Sequence, residues 1–98
     1  MNITTNREGN TLTIAVEGKL DTYTAPELKA VLEKELPGAE QLILDFEKLQ
    51  YLSSAGLRVL LSAMQTMDDQ GTLTVKNINN FVREILEETG LLEDLDIA

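Results

Sequence analysis

The run Ser53-Ser54-Ala55-Gly56 is the part of this 98-residue chain whose residue types and spacing most suggest chemistry. Two adjacent hydroxyls separate a strand-like stretch from a helix-like one. One serine hydroxyl at such a junction can accept a hydrogen bond from the free amides of the helix's first turn. The other is then left over. A phosphoryl group on it would meet free amides and the positive end of the helix dipole, and its charge of about -1.5 to -2 would act outward, on a partner. Gly56 is costly so close to a helix start, about 1 kcal/mol relative to alanine in a helix interior, but it lets another segment approach closely. A plainer reading stays open at this point: Ser53 caps, Ser54 is merely small and Gly56 packs on a sheet.

Other chemistries find little support. The chain has no histidine and no cysteine, which removes the commonest general base, the thiol nucleophile, disulfides and the usual soft metal ligands. Asp21, Asp45 and Glu47 are carboxylates near loops, but no base, nucleophile and orienting group converge by spacing. We therefore expect no catalytic residue, no metal site and no cofactor. With 17 acidic and 8 basic residues, the net charge of -9 argues against nucleic acid and anionic membrane surfaces. It favours a basic protein partner, attracted at long range. The N-terminal stretch lacks the apolar core of a signal peptide and no apolar run reaches membrane-spanning length. The expectation is a cytoplasmic domain with no direct membrane insertion, monomeric or weakly dimeric.

The elements that must position the serines are readable from periodicity. Leu12, Ile14 and Val16 alternate with Thr11, Thr13, Ala15 and Glu17, the period of a half-buried strand, and Glu8-Gly9-Asn10 turns it back onto a first strand around Ile3. Thr24-Ala25-Pro26-Glu27 reads as a helix start with a capping box, followed by Leu28, Val31, Leu32 and Leu36 and ended by Pro37-Gly38. The run from Gln41 to Phe46 suits a buried strand. A second helix from Leu57 carries Leu60, Leu61, Met64 and Met67 on one face, and Gly71 closes it. Thr72 to Asn77 is a further strand. Asn79 or Asn80 caps a third helix with Phe81, Val82, Ile85 and Leu86 inside, and Gly90 stops it. The tail is either a short strand near Ile97 or a frayed end.

Alternation of this kind implies one α/β domain over residues 1–98, with a mixed, mostly parallel sheet of four or five strands and helices packed on it. The loops leaving the carboxyl ends of parallel strands share one edge, where sites usually form. Those loops are Gly18 to Thr24, Lys48 to Ser54 and Lys76 to Asn80, so Asp21, Tyr23, Ser53, Ser54 and Asn77 are expected on one side. Tyr23 is either a packed or exposed loop residue or an interface anchor.

The element order, Glu17-Gly18-Lys19-Leu20-Asp21 before the first helix, and the run from Leu42 to Leu61 resemble the STAS domain of bacterial anti-sigma factor antagonists. The resemblance extends from Ile3 to about Leu92. The family's Gly-x-Leu-Asp falls on Gly18, Lys19, Leu20 and Asp21. Its phosphorylated serine falls on Ser54, with Ser53 as a rival acceptor. The usual Asp before that serine is Ser53 here, and the residue after it is Ala55. The resemblance implies a non-enzymatic module that binds an anti-sigma factor of the serine-kinase type, releases sigma, and is driven off by phosphorylation. It places Asp21, Thr22, Tyr23, Ser53, Ser54, Ala55, Gly56 and Arg58 in the partner-binding surface. The alternative is a STAS subunit with a constitutive architectural role in a transporter, lipid-transport or sensor complex.

Overall fold

The computed structural model describes all residues, Met1–Ala98. Strands β1 (Asn2–Glu8) and β2 (Thr11–Leu20) form the expected hairpin, with Glu8 opposite Thr11 across the turn. There follow α1 (Ala25–Glu35), β3 (Gln41–Asp45), β4 (Leu49–Leu52), α2 (Ser54–Gln70), β5 (Thr72–Lys76), α3 (Asn80–Glu88), the single turn α4 (Leu91–Asp94) and β6 (Asp96–Ile97). The sheet runs β1-β2-β3-β5-β6, and β4 pairs with β2 outside that path. Only β1 is antiparallel.

The sheet has six strands where four or five were expected. One extra strand, β4, lies inside what reads in sequence as a loop. It is too short to show a period, and its buried positions, Leu49 and Leu52, are three apart. The other is β6, which settles the tail: after α4 the chain returns to pair Asp96 with Thr74 and Ile97 with Val75.

β2 serves two partners in succession. Its first half pairs with β3 from Thr11 to Ala15, and its end pairs with β4 from Gly18 to Leu20. The register breaks between Gly18 and Lys19. Gly18 stands there with φ of +109°, a conformation that side chains disfavour, and donates its N–H to the Lys48 carbonyl at 3.0 Å. This bulge carries β2 and β4 together beyond the end of β3.

Twenty-two apolar side chains form one core. Leu12, Ile14, Val16, Leu42, Leu44 and Val75 fill it from the sheet, Leu28 and Leu32 from α1, Val59, Leu60, Ala63 and Met67 from α2, and Val82 and Leu86 from α3. Leu61 and Phe81, expected to face inward, are instead 41% and 46% exposed. Each stands about 100° around its helix from a buried neighbour, Leu60 or Val82, and falls outside the buried stripe of that helix. No helix is long and apolar enough to cross a membrane.

Candidate functional site

The ends of β2 and β4 meet at one edge. The Ser53 N–H donates to the Leu20 carbonyl at 2.9 Å, so the Asp21 loop and the two serines are joined by a backbone hydrogen bond. α2 begins at Ser54 rather than Leu57, three residues earlier than the apolar pattern suggests. Ser53 is its N-cap: extended backbone with ψ of 174°, and a hydroxyl oxygen accepting from the Gly56 N–H at 3.3 Å. Ser54 is the first helical residue and is exposed. The two hydroxyls therefore have different environments, one half-buried and engaged as a cap, the other facing solvent.

Gly56 lies beneath them, buried. A Cβ there would stand 2.7 Å from Leu20 Cγ and 2.8 Å from Leu52 Cδ1, both fully enclosed side chains. The glycine thus lets α2 settle directly on the last residues of β2 and β4. Expected among the contact residues, it supports the surface from below and is not part of its outer face.

The preceding loop is organised by Asp21, and the capping box does not form. Thr24 makes no side-chain cap; its hydroxyl donates to the Lys19 carbonyl at 2.7 Å. The Asp21 carboxylate accepts from the Tyr23 and Thr24 amides at 2.9 and 3.1 Å. The Thr24 amide, then those of Tyr23 and the Thr24 hydroxyl, with Lys19 nearby, hold its pKa below the ordinary 3.8 against the opposing pull of desolvation. Thr22 and Tyr23 project from this turn, Tyr23 with 89% of its surface exposed.

Asn77 does not join this cluster. It sits at φ +61° beyond β5 and donates to the Asp45 carboxylate at 3.0 Å, at the earlier step where β3 and β5 end. Desolvation pushes Asp45 upward, but the bonds from Asn77 and the Glu47 amide, with the charge of Lys76, outweigh it and leave its pKa lowered. Both depressed aspartates contribute stability that is complete above 3.8 and is lost as pH falls through their folded values. Asp21→Asn and Asp45→Asn should each lower the melting temperature near neutral pH, by an amount that shrinks as the pH falls below 3.8. Thermal denaturation across that range checks this; curves parallel to the parent's would contradict it.

Two features escaped the sequence reading. Tyr51 and Phe81 stack with ring centroids 5.8 Å apart and remain 40% and 46% exposed. The β4–α3 contact that brings them together depends on Asn79, which caps α3 and also donates its side-chain amide to the Leu49 carbonyl at 2.9 Å. The second feature is a groove of about 450 Å³ between α1 and α2, lined by Leu32, Leu36, Val59 and Ala63 and bordered by Lys29 and Arg58. The pattern of either helix alone gives no signal for the groove, which both helices form together. No cluster of three or more carboxylates is arranged to hold a metal ion.

The division between the serines can be checked by stability. Ser53→Ala should cost about 1 kcal/mol through loss of the cap, while Ser54→Ala should cost well under that. Urea unfolding of the two variants distinguishes them, and equal losses would contradict the assignment of the cap.

Residues 3–95 match the family model described as "Mlab, STAS domain". BtrV of Bordetella bronchiseptica, named as a putative anti-sigma factor antagonist, is 34% identical over 100% of this chain and 86% of its own length. The anti-sigma-B factor antagonist of Bacillus subtilis is 28% identical over 100% of this chain and 91% of its own. Among solved structures, an anti-sigma factor antagonist from Mycobacterium paratuberculosis superposes with a TM-score of 0.89 at 20% identity, covering 98% of this chain and 83% of that one. Unphosphorylated SpoIIAA gives 0.86 at 21%, covering 99% and 88%. The phosphorylated form of SpoIIAA from Bacillus gives 0.78 at 22%, covering 99% and 91%. With that match over nearly its whole length and the same fold, this chain belongs to the STAS-domain family.

Proposed function

We infer that this protein is an anti-sigma factor antagonist. It is a non-enzymatic, cytoplasmic binding module whose partner is an anti-sigma factor of the serine-kinase type, and Ser54 is the residue through which that partner switches it off. The observation that carries the reading is the exposed hydroxyl of Ser54 on the first turn of α2, beside a Ser53 already engaged as the cap. The names of the curated relatives support the antagonist role over the architectural alternative. Ser54, Ala55 and Arg58 on α2 and Asp21, Thr22 and Tyr23 on the neighbouring loop form the contact surface, with Tyr23 as its aromatic anchor. The -9 net charge draws in a basic partner.

In the transfer, the Ser54 hydroxyl oxygen bonds to the γ-phosphorus of ATP and the bond to the bridging oxygen breaks. ADP leaves, and the hydroxyl proton passes to a base on the partner. Affinity capture from the native cell, with mass spectrometry of the bound proteins, tests the function. An ATP-binding anti-sigma factor retained by the parent and lost with Tyr23→Ala is the expected result. Capture of membrane-transport subunits alone would favour the architectural role.

A further inference from the structure

We propose that Arg58 is an internal receptor for a phosphate on Ser54. The proposal rests on the reading of Ser54 as the acceptor. Ser54, Arg58, Ser62, Thr66 and Gln70 follow one another at four-residue spacing on α2, and residues so spaced share a helix face. The last four line the groove against α1. Ser54 therefore heads the row that becomes the groove wall, with Arg58 one turn below it. Both are exposed.

The groove has a polarity along its length. β2 and β4 are parallel, and α1 and α2 each leave the same edge, so the two helices run in the same direction. Lys29 and Arg58 are each the fifth residue of their helix, and both border the groove at the end nearest Ser54. Glu33 lies one turn further along α1. The far end is closed by Gln70, which donates to the Leu36 and Ala39 carbonyls at 2.8 and 2.6 Å. In a chain with 17 acidic residues and 8 basic ones, both cations of the groove thus lie toward the end at which α2 starts. The nearest carboxylate of the adjoining loop, Asp21, is already engaged by the Tyr23 and Thr24 amides.

Ser53 has no such partner. Its position four residues on is Leu57, and its hydroxyl accepts from the Gly56 amide. A phosphate on Ser54 is met by a guanidinium whose planar fork suits phosphate oxygens; one on Ser53 is not. Modification then changes the surface twice. It adds an anion at Ser54 and draws Arg58 away from the groove mouth, removing a cation that the unmodified protein offers its partner.

The test uses full-length protein with phosphoserine placed at position 54 during translation, so that no kinase is needed. Phosphorus NMR follows the second ionisation of the phosphate. It should titrate about 0.4 of a pH unit lower in the parent than in Arg58→Gln, the displacement expected of an exposed charge pair one turn apart on a helix. Arg58→Lys should retain part of the shift, and high salt should shrink it. Phosphoserine placed at position 53 should titrate alike in the parent and in Arg58→Gln. Equal midpoints for phosphoserine at position 54 with and without Arg58, or the same Arg58 dependence at position 53, would overturn the proposal. A native kinase that ignores Ser54 would instead defeat the switch and leave this titration unaffected.

Discussion

A phosphate on Ser54 is expected to weaken the complex with the anti-sigma partner about a thousandfold while leaving the fold intact. The fold survives because Ser54 is the first residue of α2, exposed, with the cap supplied by Ser53. The helix end tolerates an anion there. The complex does not, because the phosphate puts bulk and charge into a contact surface fitted to a bare hydroxyl, and it draws Arg58 out of that surface. Desolvating charge at an interface costs several kcal/mol even where the charge is paired, and about 4 kcal/mol corresponds to a thousandfold in affinity. Ser54→Asp carries less charge and should weaken binding by part of that amount. Ser54→Ala removes only a hydroxyl and should bind like the parent. Titration calorimetry with the captured partner reads all three, and a loss smaller than threefold for the phosphoprotein would contradict the role given to this surface.

Gly71→Ala is expected to destabilise the domain by about 3 kcal/mol or more. Gly71 ends α2, donating its N–H to the Met67 carbonyl at 2.7 Å, and β5 begins at the next residue. A Cβ there would overlap the Glu40 carbonyl oxygen and stand 2.6 Å from the carbonyl carbon. Nothing flexible can yield, since the same oxygen accepts the Thr72 N–H at 3.0 Å, next to the first residue pair of β3 and β5. The change must separate α2 from β3 or break that bond. A domain of this size has roughly 5–15 kcal/mol in total, so the loss is a large fraction. Urea unfolding should show the midpoint falling steeply; a midpoint within experimental scatter of the parent's would contradict the crowding at this junction. Gly56 is the milder case, because the atoms it would meet belong to side chains.

Much of this architecture was legible because the signals were long and periodic. The alternation from Thr11 to Glu17 and the spacing of Leu28, Leu32 and Leu36 each reflect a face that must be buried, and the structure buries them. The Ser53 cap was also legible as one of two candidates. What escaped was set by contacts between distant segments. β4 is defined by its pairing to the end of β2, across a break at Gly18 that no local pattern reveals. Thr24 looked like a cap from its spacing to Glu27, yet the Asp21 carboxylate holds the amides before α1 and the threonine hydroxyl turns to Lys19. Phe81 looked like core because it is apolar, and it is drawn outward to stack on Tyr51. Of the candidate site, Asp21 and the serines were placed on a common edge by topology alone. The Arg58 and Lys29 side of the groove depends on how α1 and α2 lie together, which the sequence pattern of either helix does not contain.

The most direct test of the central claim is to incubate the purified protein with its captured anti-sigma kinase and ATP, then locate the phosphate by fragment mass spectrometry. One phosphate per chain on Ser54, none with Ser54→Ala, and continued modification of Ser53→Ala are expected. Phosphate on Ser53, or undiminished phosphorylation of Ser54→Ala, would contradict a switch at Ser54.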